Sequence, residues 1–136
     1  MAITILRENE FSTASFDSDL SAGIIVWKDK KLTSEEYRMA FESIIDFTKG
    51  KDIFVNYLAD ARFQSVVSPE DRKWFQKNII PEAIKYGLQR GAVVVSGNAF
   101  KRYYMNMIIK GSRMFPIEIK MFDDMDKAIK WLKSFD

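Results

Sequence analysis

Ile53-Phe54-Val55-Asn56-Tyr57-Leu58-Ala59-Asp60, the loop 61–67 behind it and the helix start Ser68-Pro69-Glu70-Asp71 decide how this chain is read. The first eight residues are mostly apolar, with β-branched and aromatic members, and too few for a typical helix. They predict a buried strand. The strand ends on an acid, and a capped helix opens soon after. In an α/β sheet, ligands sit at the carboxyl ends of strands and in the loops that follow them. The expected working surface is therefore the Asp60 end of this strand.

Towards the N-terminus, 3–7 and 11–16 read as short strands joined by a turn at Glu8-Asn9-Glu10. The second is rich in Ser and Thr and is assigned to an edge. A third strand covers 23–27. Thr33-Ser34-Glu35-Glu36 is a capping box, with Thr33 as the cap and Glu36 reaching back. Tyr37, Phe41, Ile44, Ile45 and Thr48 follow at helical spacing and Gly50 is a stop signal, so a helix runs over 34–49.

Towards the C-terminus, Ser68 caps a helix with Pro69 at its first position and acids in its first turn. Trp74, Phe75, Ile79 and Ala83 face the core, Pro81 kinks or splits the helix near Ile80, and Tyr86-Gly87 ends it. A β-branched strand over 91–96 turns at Gly97-Asn98 into a helix over 99–110, stopped at Gly111. A weak strand follows at 116–121, and Asp123 caps a final helix striped by Met125, Ala128, Ile129 and Leu132. Strands alternating with helices require parallel crossovers, while the leading strands pair as an antiparallel hairpin. The expected fold is a single α/β domain with a mixed five- to six-stranded sheet and four helices.

Composition narrows the function. The 136 residues carry 21 bases and 19 acids, a net charge of +2 that is too balanced for a nucleic-acid partner. There is no Cys and no His, which removes a cysteine nucleophile, thiolate metal sites, and the commonest general base and metal ligand. Neither a cofactor nor a metal is expected, and catalysis would have to run on carboxylates, Lys or Tyr. The N-terminus has early acids and no long apolar run, and no stretch reaches the length of a membrane span. A cytoplasmic protein without an integral membrane segment is the expectation.

Three stretches resemble a known family: Trp27 with Leu32-Thr33-Ser34-Glu35-Glu36-Tyr37; Leu58-Ala59-Asp60 leading to Ser68-Pro69-Glu70 and Trp74; and Asp126-Lys127-Ala128-Ile129-Lys130-Trp131-Leu132. Together they resemble the SpoIIAA-like proteins, small STAS and SEC14-like single-domain proteins of bacteria. The resemblance implies a mixed-sheet α/β fold and a non-enzymatic role in binding or regulation. It also implies comparison with anti-sigma-factor antagonists, which carry a phosphorylatable Ser in an Asp-Ser-Ser-Gly type turn after a central strand. The corresponding turn here is Asp60-Ala61-Arg62-Phe63, which lacks that Ser; Ser65 and Ser68 lie later.

Two site neighbourhoods follow. Asp60 and Arg62 are either a charged pair at the mouth of a crevice or a turn cap beside a solvated arginine. Phe63, Ser65 and Ser68 belong to the same loop, Ser68 with a structural role as helix cap. Ser96-Gly97-Asn98, opening directly into a helix with Lys101 and Arg102 in its first turn, is either an anion pocket or a plain N-cap. On that helix Phe100, Tyr103, Tyr104, Met107 and Ile108 make a core face, leaving Met105 and Ile109 on the opposite side. That second face is open to a subunit, an acyl chain or a membrane surface unless the chain's own N-terminal strands cover it. The function expected is an interaction module that binds a protein partner through the loop after Asp60. The alternative is a carrier or sensor of a small apolar or anionic lipid-like ligand. A weak isologous homodimer through Met105 and Ile109 is expected as well.

Overall fold

The computed structural model describes residues 2–97 and 99–135, with the backbone alone at 99, 100 and 112. Six strands form one mixed sheet in sequential order: β1 (Ile3–Glu8), β2 (Ser12–Asp17), β3 (Ala22–Trp27), β4 (Asn56–Asp60), β5 (Arg90–Val94) and β6 (Glu118–Phe122). The first three are antiparallel neighbours, and β3 to β6 run parallel. Helix α1 (Ser34–Thr48) joins β3 to β4. Between β4 and β5, α2 (Pro69–Trp74), a π-helical turn (Phe75–Ile79) and α3 (Ile80–Lys85) follow without a break and act as one helix. Helix α4 (Ala99–Ser112) joins β5 to β6, and α5 (Met125–Lys133) follows β6, which makes four helices among the described residues.

Parallel crossovers are almost always right-handed, so strands added in sequential order put every connecting helix on the same face. The core follows that rule. Ile25, Trp27, Ala59, Val93 and Val95 pack with α1, α2–α3 and α4 in one large cluster. On the other face Leu58, Ala92 and Val94 meet Ala128 and Leu132 of α5 in a smaller one. Helix α5 covers mainly β4 to β6, and Ile3 and Ile5 at the other end of that face stay exposed.

Several boundaries depart from the expectation for physical reasons. The run 53–60 enters the ladder only at Asn56, because the chain arrives through left-handed turns at Gly50 (φ 76°) and Asp52 (φ 53°). Phe54 then turns into the helix-side core instead of alternating with Asn56. The second strand is not an edge: β2 lies between β1 and β3, its small Ser12 and Ala14 buried and its Asp17 accepting the backbone N–H groups of Asp19 and Leu20. Only half of the capping box forms. Thr33 Oγ1 accepts from the Glu36 backbone at 3.1 Å, but the Glu36 carboxylate instead takes Arg7 Nη2 at 2.7 Å and Asn9 Nδ2 at 2.9 Å. A bulge between Ile5 and Arg7 aims Arg7 at α1.

Pro81 acts through the turn before it. Without an N–H, and with its ring against the carbonyl four residues back, it is preceded by the wider π turn. Gly111 lies within α4 and does not stop it; a Cβ there would collide with the Gln76 carboxamide, so its role is close approach to the π turn. Asp124, not Asp123, caps α5, accepting from Asp126 N at 2.7 Å.

Gly23 is a second close approach. A Cβ on it would lie 2.7 Å from Ile44 Cγ2 and 2.9 Å from Phe54 Cε1, both in the core. Gly23→Ala should lower unfolding stability by about 1–3 kcal/mol through overpacking. Gly97→Ala, facing open space, should change it by less than about 0.5 kcal/mol. Urea titration of the two variants checks both values.

Candidate functional site

The face rule decides what the Asp60 neighbourhood can do. Alternation along β4 puts Asn56, Leu58 and Asp60 on the α5 side, and Tyr57 and Ala59, with Ala61 beyond, on the helix side. Asp60 is buried, and its Oδ1 accepts Arg62 N at 3.2 Å and Nε at 2.9 Å while Oδ2 accepts Nη2 at 2.7 Å. The hydrogen bond and charge of Asp60 raise the Arg62 pKa above its usual value, with a further contribution from Asp124 at the start of α5. The pair therefore closes the turn on the α5 side.

The helix side holds a cleft of about 280 Å³ between the loop 61–67 and α4, with Ala61, Gln64, Val67, Lys101, Tyr104 and Met105 among its lining residues. Ser65 lines it too, but its hydroxyl accepts the Leu32 backbone N–H at 3.2 Å. Lys101 Nζ donates to the Arg62 carbonyl at 2.8 Å and lies 5.9 Å from the Phe63 ring centroid. Loop and helix are thus fastened to each other across the cleft mouth. Phe63 and Val66 project outward, 56% and 50% exposed.

Behind the cleft lie two small voids of about 50 and 30 Å³. Gln64 and Met105 line both the cleft and the larger void, and Phe41, Tyr57, Phe75 and Ile119 line both voids. The three spaces run inward in sequence through a core of large rings, including Trp27 stacked on Tyr37 at 5.6 Å and Phe41 against Phe75 at 4.8 Å. Spaces with apolar walls of this kind stay dry or take apolar guests. Tyr57 faces them, and desolvation lifts its hydroxyl well above the usual range. Tyr37 shifts the same way, chiefly by burial, with Tyr57 and Asp71 adding to the rise and Arg72 opposing it.

Ser68 is the helix cap, its Oγ accepting from Asp71 N at 3.1 Å. The buried Asp71 carboxylate takes Ser34 Oγ at 2.8 Å and Arg38 Nε at 3.2 Å, which ties α2 to α1. The sequence had no reading for this node. With Asp60 bound to Arg62 across the sheet and Asp71 held here, the carboxylates of this region do not converge. Among the described residues, no three His, Cys, Asp or Glu side chains are placed to hold a metal ion.

The second neighbourhood separates. Lys101 turns to the loop, whereas Arg102 lines a different, open cleft with Asn106, Met121 and Asp123. Ser96 is half-buried, Gly97 is exposed, and Asn98 lies outside the described residues. The face assignment on α4 is corrected. Met105 and Ile109 are buried in the main core, with Tyr104 and Ile108 beside them, and Tyr103 (62%) and Met107 (40%) are exposed. The two stripes lie on nearly opposite sides of the helix and are about equally apolar, so only packing chooses between them. The expected homodimer contact through Met105 and Ile109 is therefore unavailable. Gln64 and Arg72 were missed, because a polar residue in a loop and one on a helix give no periodic signal.

A family model described as SpoIIAA-like matches residues 24–133. No curated protein and no solved structure matches the chain. No helix among the described residues is long and apolar enough to cross a membrane.

Asp71→Ala should cost about 2 kcal/mol, because it strands the Ser34 and Arg38 donors as well as losing their bonds; thermal melts check this. A buried phenol whose folded pKa is raised stabilises the fold fully below its unfolded pKa, about 10, and loses that contribution as pH rises further. Tyr57→Phe should therefore remove about 1.4 kcal/mol per pH unit from the decline in stability above about pH 10, measurable by urea titrations at a series of alkaline pH values.

Proposed function

Because the chain belongs to the SpoIIAA-like family, we propose that it is a non-enzymatic regulatory module of the STAS kind that binds a protein partner through the loop 61–68 and the adjoining start of α2. One observation carries this reading. Phe63 and Val66 stand exposed on a loop whose backbone is held by Arg62 N on Asp60, Ser65 on Leu32 and Lys101 on the Arg62 carbonyl. Apolar side chains on a fixed frame lose little entropy on docking, which is what a binding hot spot needs. The separated carboxylates and the absence of His and Cys support a role without catalysis. The Ser65 and Ser68 hydroxyls both accept backbone hydrogen bonds, and the contact proposed here does not invoke phosphorylation of either.

A second reading, the carrier or sensor of a small lipid-like ligand, is favoured by the cleft behind Met105 and its mostly apolar lining. The test of the first reading is affinity capture from the native host with the wild-type chain, Phe63→Ala and Arg62→Glu. The proposal predicts a partner retained by the wild type and lost or weakened at least tenfold by Phe63→Ala. Identical captured sets for all three proteins would remove the loop as the contact surface.

A further inference from the structure

The junction between the cleft and the first void is polar at one point. Gln64 is 6% exposed and lines both spaces. Its backbone N–H bonds to Ala61 O, but its carboxamide has no hydrogen-bond partner among the described residues. The polar atoms of the carboxamide are not fully buried, so it is open to the cleft and available to a guest there. The neighbouring charges bear on which guest. Lys101 lines the cleft, and the Arg72 guanidinium lies 5.7 Å from the ring centroid of Tyr104, another lining residue. Arg72 Nη1 is buried without a partner, while the neighbouring Asp71 is committed to Ser34 and Arg38. No carboxylate is among the described residues that line the cleft.

A mostly apolar cleft lined by an unpartnered amide and Lys101, with a second cation, Arg72, over the ring of its Tyr104 wall and no carboxylate in its described lining, is suited to a guest that is mostly hydrocarbon and carries one acid group. We infer that the cleft binds a short alkyl or aryl carboxylate, whose carboxylate accepts from the Gln64 carboxamide in the field of Lys101 and Arg72. Its apolar body lies against Val67, Tyr104 and Met105. The size is compatible, since an apolar cavity of about 150 Å³ already admits benzene. This assignment rests on the ligand-carrier reading and adds the head group to it. It also links the ligand to the loop that carries Phe63, because Gln64 is its immediate neighbour.

The experiment is a methyl-resolved NMR titration of the full chain with octanoate and, separately, with 1-octanol. Wild-type protein should show saturable shifts at the Met105 methyl with octanoate and bind 1-octanol at least tenfold more weakly. Gln64→Leu should weaken octanoate at least tenfold and leave 1-octanol within about twofold; Arg72→Met should weaken octanoate alone. If 1-octanol binds the wild type as well as octanoate does, the carboxylate assignment is overturned and the carrier reading survives. If neither probe binds, both fail. Equal weakening of both probes by Gln64→Leu would make the side chain a wall of the cleft, and overturn its role as head-group donor. Should Gln64→Leu not fold, Gln64→Glu keeps the shape and replaces the amide donor by a carboxylate. It should abolish octanoate binding at neutral pH, and unchanged binding would overturn the proposal.

Discussion

The handedness of the crossovers governs this molecule more than any single contact. Three parallel connections made in sequential strand order must lay α1, α2–α3 and α4 on one side of the sheet. Most of the large buried rings then have to share that side: Trp27, Tyr37, Phe41, Tyr57 and Phe75 all meet there. Rigid rings packed from three directions do not tile perfectly, and the voids around Phe41, Tyr57 and Phe75 are what remains. Helix α5, outside the crossover series, covers a smaller cluster of Leu58, Ala92 and Val94 with Ala128 and Leu132, and Ile24, Phe122 and Trp131 pack at its margin.

The same rule sorts the residues after β4. Odd and even positions of β4 look onto two different faces, with Asp60 on the α5 side, whereas Gln64 lies in the loop beyond the strand's end and turns to the helix side. Asp60 and Arg62 close a turn beside α5. Ala61, Gln64 and Val67 wall a cleft beside α4. The loop between them stays ordered because both sides hold it, Ser65 to the segment before α1 and Lys101 to its carbonyl. A surface that is rigid outside and hollow behind can in principle couple what it holds to what it shows.

The fold was legible because its signals are local. Capping at Thr33 and Ser68, the alternation of strands and helices, and β-branched runs at 91–96 each fix one element without reference to the rest. What local pattern could not supply was rotation and partner. On α4 the stripe through Tyr103 and Met107 is as apolar as the one through Met105 and Ile109, and only docking against Phe75 and Ile119 distinguishes them. The carboxylate of Glu36 was assigned to its own helix cap, yet Arg7, brought near by a bulge, is the stronger partner. The strand β2 looked weak in isolation, but small residues are what a strand needs where a helix packs close above it. Gln64 carried no signal at all, since an amide in a loop is ordinary until the loop is seen to bury it.

The central claim is that the helix side of the sheet is hollow and that its hollow opens at the loop 61–67. Methyl NMR spectra recorded under xenon pressure test it most directly, because xenon enters dry apolar space without needing any head group. The account predicts graded, saturable shifts at Met105, Ile108, Ile109 and Ile119, with Ile129 and Leu132 on the α5 side unmoved. Shifts concentrated at α5, or no saturable shift anywhere in the helix-side core, would contradict it.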